Sequence, residues 1–165
     1  NKWYAKFAKN ADIAIHECFM PPNLMMEKYG FSAAAALNVA VGVHTPPASF
    51  GKVMSDIKPR LAIAYHFFND FDTRYPIQEG IRRTYDGPLT MATDLLVWNV
   101  TKDDIRVRQV IVDDESWPTK SPTKPGQPDA SAKVEFSPFI KDGELDMSKT
   151  LDPLIEKFKK ENNLK

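Results

Sequence analysis

Two compact apolar runs that each lead into a histidine, helices that open on proline pairs between them, and a closing series of short strands predict an α/β fold, a mixed sheet flanked by helices. The runs are DIAIHE (12–17) and RLAIAY (60–65), the second followed directly by His66. Each has the length of a buried strand and turns polar at its C-terminal lip, the edge where open α/β sheets gather their sites.

The remaining elements follow in order. Trp3, Phe7 and Ala11 recur at helical spacing and predict a short amphipathic helix over 3–10. Pro21-Pro22 opens the next helix, because proline is tolerated in a first turn, and Gly30 stops it. Ser32 caps a third, which runs to about Val41 before a break at Gly42-Val43-His44-Thr45. Pro46-Pro47 starts a fourth through Phe50, Val53, Met54 and Ile57, and Pro59 ends it. After the second strand, Ile77, Ile81 and Tyr85 mark a helix over 76–85. Strands are expected at 88–93, 95–100 and 104–112, with Lys102-Asp103-Asp104 turning the last two into a hairpin. From Glu115 the composition changes to a proline-rich stretch, read as an extended arm. Leu154, Ile155 and Phe158 restore a helical stripe over 152–161. These shifts divide the chain into a body, 1–114, and an arm with a terminal helix, 115–165.

A chain of 165 residues has the length of one domain, since domains usually run to roughly 100–200 residues. Its 42% apolar and 27% charged residues are those of a globular protein and exclude wholesale disorder. Twenty-two basic side chains balance 22 acidic ones, so no global charge draws the chain to nucleic acid or to an anionic membrane. No apolar run approaches the ~20 residues of a membrane span, so a soluble protein is expected, cytoplasmic or periplasmic. The single cysteine, Cys18, forms no internal disulfide and neither requires nor excludes an oxidising compartment.

All three histidines sit where a strand or loop meets the next element: His16-Glu17, His44-Thr45-Pro46-Pro47, and His66-Phe67. Imidazole suits metal ligation and proton transfer near neutral pH, but a histidine at a strand end also serves as a hydrogen-bonded structural residue. No HExxH, HxHxDH or CxxC is present, and GxGxxG, GxxxxGK[ST] and GxSxG are absent as well. Cys18 follows an acidic residue and reads as small and buried.

The ordered set ADIAIHECF (11–19), HTPPASFGKVM (44–54) and LAIAYHFF (61–68) resembles the C-terminal half of tRNase Z and its relatives in the metallo-β-lactamase superfamily. There a strand ending in HEA[TS] leads to an HST loop and helix, then to a strand ending in a zinc-ligand histidine. His16-Glu17-Cys18-Phe19 stands at the first motif, His44-Thr45-Pro46 at the second and His66 at the third. Arg74-Tyr75 resembles the family's RY pair, and Thr93-Asp94-Leu95 its near-terminal AED strand. The resemblance spans roughly residues 1–112.

It implies half of an αββα sandwich with a proline-rich C-terminal extension. It implies a zinc-dependent hydrolase, acting on a phosphodiester or on a β-lactam or ester through a metal-bridging hydroxide. His66 would be a metal ligand and His44 a proton donor or oxyanion stabiliser. His16 and Glu17 would brace the His44 loop or shuttle protons. Two Zn²⁺ per site are implied, most of their ligands outside this chain. The family's HxHxDH motif, third-motif histidine and bridging aspartate all precede HEA[TS], and in the family a GDT-x-P stretch that carries this aspartate comes roughly where this chain begins, at Asn1. The implied first partner is therefore the missing N-terminal half, and the chain by itself is expected to be inactive and to expose an apolar face. RNA or a small molecule is the implied substrate. Arg60, Arg74, Arg82 and Arg83 form the basic cluster that favours RNA, and the neutral charge opposes it. The arm reads as a surface wrap or tail, or as a lid or a homo-oligomer contact. The rival reading of the whole is a non-catalytic α/β binding or assembly module with structural histidines.

Overall fold

The structure is a computed structural model and describes residues 1–111 and 135–165. The expected 114/115 boundary, Asp113-Asp114-Glu115 and most of the proline-rich stretch lie outside the described residues. The chain divides into two compact units, one of residues 1–93 and 144–165, the other of residues 94–143.

The first unit is built on a parallel sheet of three strands, β1 (Ile13–Glu17), β2 (Leu61–Tyr65) and β3 (Leu89–Met91), in that order. The register pairs Ile13 with Leu61 through Glu17 with Tyr65, and Ala62 with Leu89 through Ala64 with Met91. Neighbours in register share a face, so Ala14, His16, Ala62, Ala64, Leu89 and Met91 point one way. The small Ala14, Ala62 and Ala64 leave room for helix α4 (Pro47–Ile57), and its Phe50, Val53, Met54 and Ile57 join these alanines and Met91 in the core. On the other face Ile15 and Tyr65 are about half exposed, at 53% and 45%.

Around this sheet lie α1 (Lys2–Phe7), α2 (Pro22–Tyr29), α3 (Ala33–Leu37) and α5 (Arg74–Arg82). Asn1 caps α1 by accepting the N–H groups of Trp3 and Tyr4. Gly30, at φ +67°, closes α2 in the left-handed conformation that glycine adopts without strain. The third helix widens into a π-helical turn at Asn38–Val43 where the sequence predicts a plain α-helix and a break. The β-branched Val39, Val41 and Val43, with Gly42 among them, hold an α-helix poorly. Helix α5 begins two residues earlier than expected because Pro76 occupies its first turn, where no backbone donor is needed.

The second unit holds an antiparallel hairpin of β4 (Leu96–Val100) and β5 (Ile105–Gln109), with Leu96 opposite Gln109 and Val100 opposite Ile105. Thr101 and Asp104 exchange backbone and side-chain bonds across its turn, at the expected place. Helix α6 (Pro138–Asp142) is one the sequence reading misses. Its signal was Ser137-Pro138, an N-cap hydroxyl followed by a proline at the first helical position, and the Ser137 Oγ accepts the Ile140 N–H. Helix α7 (Ser148–Glu161) returns to the first unit and starts a turn earlier than expected, continuing through Pro153.

Candidate functional site

Strand alternation sends His16 and Glu17 to opposite faces. The His16 ring meets the core side, 5.1 Å from Tyr4 and 6.3 Å from Phe50, and its Nδ1 donates to the Glu17 carbonyl at 2.8 Å. The Glu17 side chain instead meets the loop that joins the π-helical turn to α4. Its Oε2 lies 2.8 Å from His44 Nδ1, while Oε1 accepts both the N–H and the hydroxyl of Thr45, each at 3.1 Å. An ionised carboxylate only accepts, so this contact assigns the His44 proton to Nδ1 and leaves Nε2 free for chemistry. Both side chains keep some solvent access, 21% for His44 and 27% for Glu17.

His66 follows the last residue of β2 and turns with φ +68°, a left-handed conformation sparsely used by residues other than glycine. Its ring lies 5.0 Å from that of His44 and 6.1 Å from that of Tyr65. The segment beyond it is exposed along Phe68 to Asp72 but tied at Thr73, Asp70 and Asp72. Thr73 is fully buried, with its hydroxyl against the Phe68 and Asp70 carbonyls while accepting the Asp70 N–H. Lys28 pairs with Asp72 and Asp70, and the Tyr29 hydroxyl donates to Asp70 at 3.0 Å. The hydrogen bond that the Lys28 ammonium donates to Asp72 holds that ammonium above its ordinary range and, reciprocally, holds the Asp72 carboxyl below its own. A backbone held in so sparse a region costs on the order of 1–3 kcal/mol and persists where its surroundings over-determine it.

Glu17, His44 and His66 thus converge, each offering a ligand atom within 4.8 Å of the others. His66 is exposed and, among the described residues, no hydrogen bond engages its ring. Two imidazoles and a carboxylate are donors of the kind zinc takes. Of the four residues singled out in the sequence, His16 stands apart from this group. Phe19 has no role in the sequence reading, yet its N–H donates to the Thr45 carbonyl at 2.9 Å and its ring stacks on His44.

Cys18 is fully buried, and burial first, then the neighbouring Glu17, pushes its thiol well above the usual range. The arginines are largely committed to the fold. Arg60 pairs with Asp12 at 2.7 Å, Arg74 donates to the Met91 carbonyl at 3.1 Å, and Arg82 donates to the Gly87 carbonyl at 2.6 Å. Among the described residues no helix is long and apolar enough to cross a membrane.

No family model matches the chain, and no curated protein matches its sequence. Among solved structures the chain is similar to the metallo-beta-lactamase fold protein YhfI from Bacillus subtilis, at 17% identity and a TM-score of 0.39. That match covers 56% of this chain and spans 32% of the length of YhfI.

Proposed function

We propose that this chain is the C-terminal part of a zinc-dependent hydrolase of the metallo-β-lactamase superfamily, similar to tRNase Z, in which His44 donates a proton to the leaving group. The observation that carries this reading is the Glu17 carboxylate, held at one oxygen by Thr45 and turned at the other toward His44 Nδ1 at 2.8 Å. An imidazole oriented in this way presents Nε2 as a general acid or base. His66 is the metal ligand in this reading, supported by its exposed ring and its separation of 5.0 Å from His44. Zinc, when bound, supplies Lewis-acid polarisation and a nucleophile at neutral pH. The remaining ligands come from outside the chain, on the N-terminal half that is its first partner. His16, bonded to the Glu17 carbonyl, steadies the end of β1. The commitment of Arg60, Arg74 and Arg82 to protein acceptors favours a small phosphodiester or ester over RNA.

The test uses full-length protein, with zinc content and turnover of bis(p-nitrophenyl) phosphate and nitrocefin as readouts. His66→Ala is expected to lose zinc. His44→Ala is expected to keep its zinc and lose about 10²–10⁴ in kcat, and Glu17→Gln to fall between His44→Ala and the parent. Unchanged zinc in His66→Ala sinks the ligand assignment. Absence of turnover with both substrates in zinc-loaded protein favours the binding-module reading instead.

A further inference from the structure

The sequence places a phenylalanine where HEA[TS] has a small hydroxyl residue, and the structure gives that phenylalanine a definite place. Phe19 is 9% exposed and its ring stacks on His44 with centroids 4.2 Å apart and planes 21° from parallel. The same ring lies 5.9 Å from His66 and 6.3 Å from Phe68. Its N–H donates to the Thr45 carbonyl, tying the chain after β1 to the loop that carries His44.

Glu17 restrains His44 at Nδ1, and within the tolerance of that one hydrogen bond the ring still rocks about its two side-chain torsions. A second restraint on the ring plane is needed to aim Nε2. We propose that Phe19 is this restraint, a positioning residue whose ring fixes the plane of His44 and its angle to His66. Phe19 touches neither reacting atoms nor metal in this account and acts only through the two imidazoles. Its aromatic face does the work, because a flat ring resists tilting of a stacked neighbour where a branched aliphatic side chain of similar volume lets it rock. The effect on turnover rests on the hydrolase reading above, whereas the effect on ring geometry does not.

Two substitutions separate ring from bulk in the full-length protein. Phe19→Leu keeps an apolar side chain and removes the π face, and Phe19→Tyr keeps the ring. With bis(p-nitrophenyl) phosphate, Phe19→Leu is expected to lower kcat about tenfold or more with KM within about twofold, because modest misplacement of a catalytic group costs rate and not binding. Phe19→Tyr is expected to stay within about threefold of the parent, and both variants to keep the parent's zinc content. By NMR, the His44 ring protons are expected to move downfield in Phe19→Leu, as ring-current shielding is lost, and to hold their place in Phe19→Tyr. The unsubstituted protein is expected to give cross-relaxation between the Phe19 and His44 rings, a readout that needs no variant to fold. Missing cross-relaxation, or unmoved His44 protons in Phe19→Leu, overturns the proposal. So does unchanged kcat in Phe19→Leu where His44→Ala is impaired. If the parent hydrolyses nothing, the hydrolase reading fails alone and the two NMR results still decide the role of Phe19.

Discussion

Within three consecutive positions, Glu17, Cys18 and Phe19 have three different fates, set by which way each side chain leaves the end of β1. Glu17 faces the His44 loop, Cys18 is fully buried, and Phe19 turns its ring onto His44. The adjacent carboxylate and the dry surroundings both disfavour a thiolate at Cys18, and the thiolate is the reactive form. Cys18 is therefore expected to resist an aromatic disulfide reagent in the native protein and to react fully on unfolding in denaturant, which a thiol titration under both conditions checks. Sequence reasoning could reach this, because an acidic neighbour and an apolar run are local facts. The ring partnership of Phe19 was not legible, since nothing in residues 11–19 says what the loop 25 positions later will bring to it. The left-handed turn at His66 was also hidden, as no glycine or asparagine marks it.

At the scale of elements, α4 packs on α5, and two glycines make room for the contact. A Cβ on Gly51 would lie 2.2 Å from Thr84 Oγ1 and 2.6 Å from the Ile81 carbonyl oxygen. One on Gly80 would lie 2.6 Å from Pro47 Cβ. Alanine has the better helix propensity by about 1 kcal/mol, yet overpacking against backbone costs about 1–3 kcal/mol, and the second effect wins where the neighbour cannot yield. Gly51→Ala is expected to lower stability by about 2 kcal/mol, read as a lower denaturant midpoint with an unchanged slope. The outcome matters for the site because α4 begins two residues after Thr45, so a shift of this helix moves the loop that holds Glu17. Proline pairs and apolar spacing announced α4 and α2 in the sequence, and periodicity announced β1 and β2. The π-helical turn was not announced, because its widening depends on how the end of α3 meets its surroundings.

For the molecule as a whole, the last helix belongs to the first unit although 56 residues separate it from β3 in sequence. Leu151, Ile155 and Phe158 of helix α7 line, with Pro47 and Gly80, an open cleft of about 350 Å³, and Phe158 is 8% exposed. Emptying a buried phenylalanine site costs about 3–5 kcal/mol, so Phe158→Ala is expected to lower the thermal midpoint by several degrees, and truncation after Gly143 to lower it further. A calorimetric scan distinguishes this from a freely hinged tail, for which both midpoints would match the parent. The sequence by itself determined most of the elements and their chemistry: strands that lead into histidine, helices that open on proline, a hairpin turning at 102–104, a buried thiol. These are local properties, written in spacing and residue type within a few positions. Only the tertiary structure decided which histidines meet. His44 lies 27 residues beyond Glu17 and 22 before His66, and their convergence depends on the parallel register of β1 with β2 and on the path of two loops. His16 drops out of the group for the simplest of reasons, that adjacent residues of a strand face opposite ways.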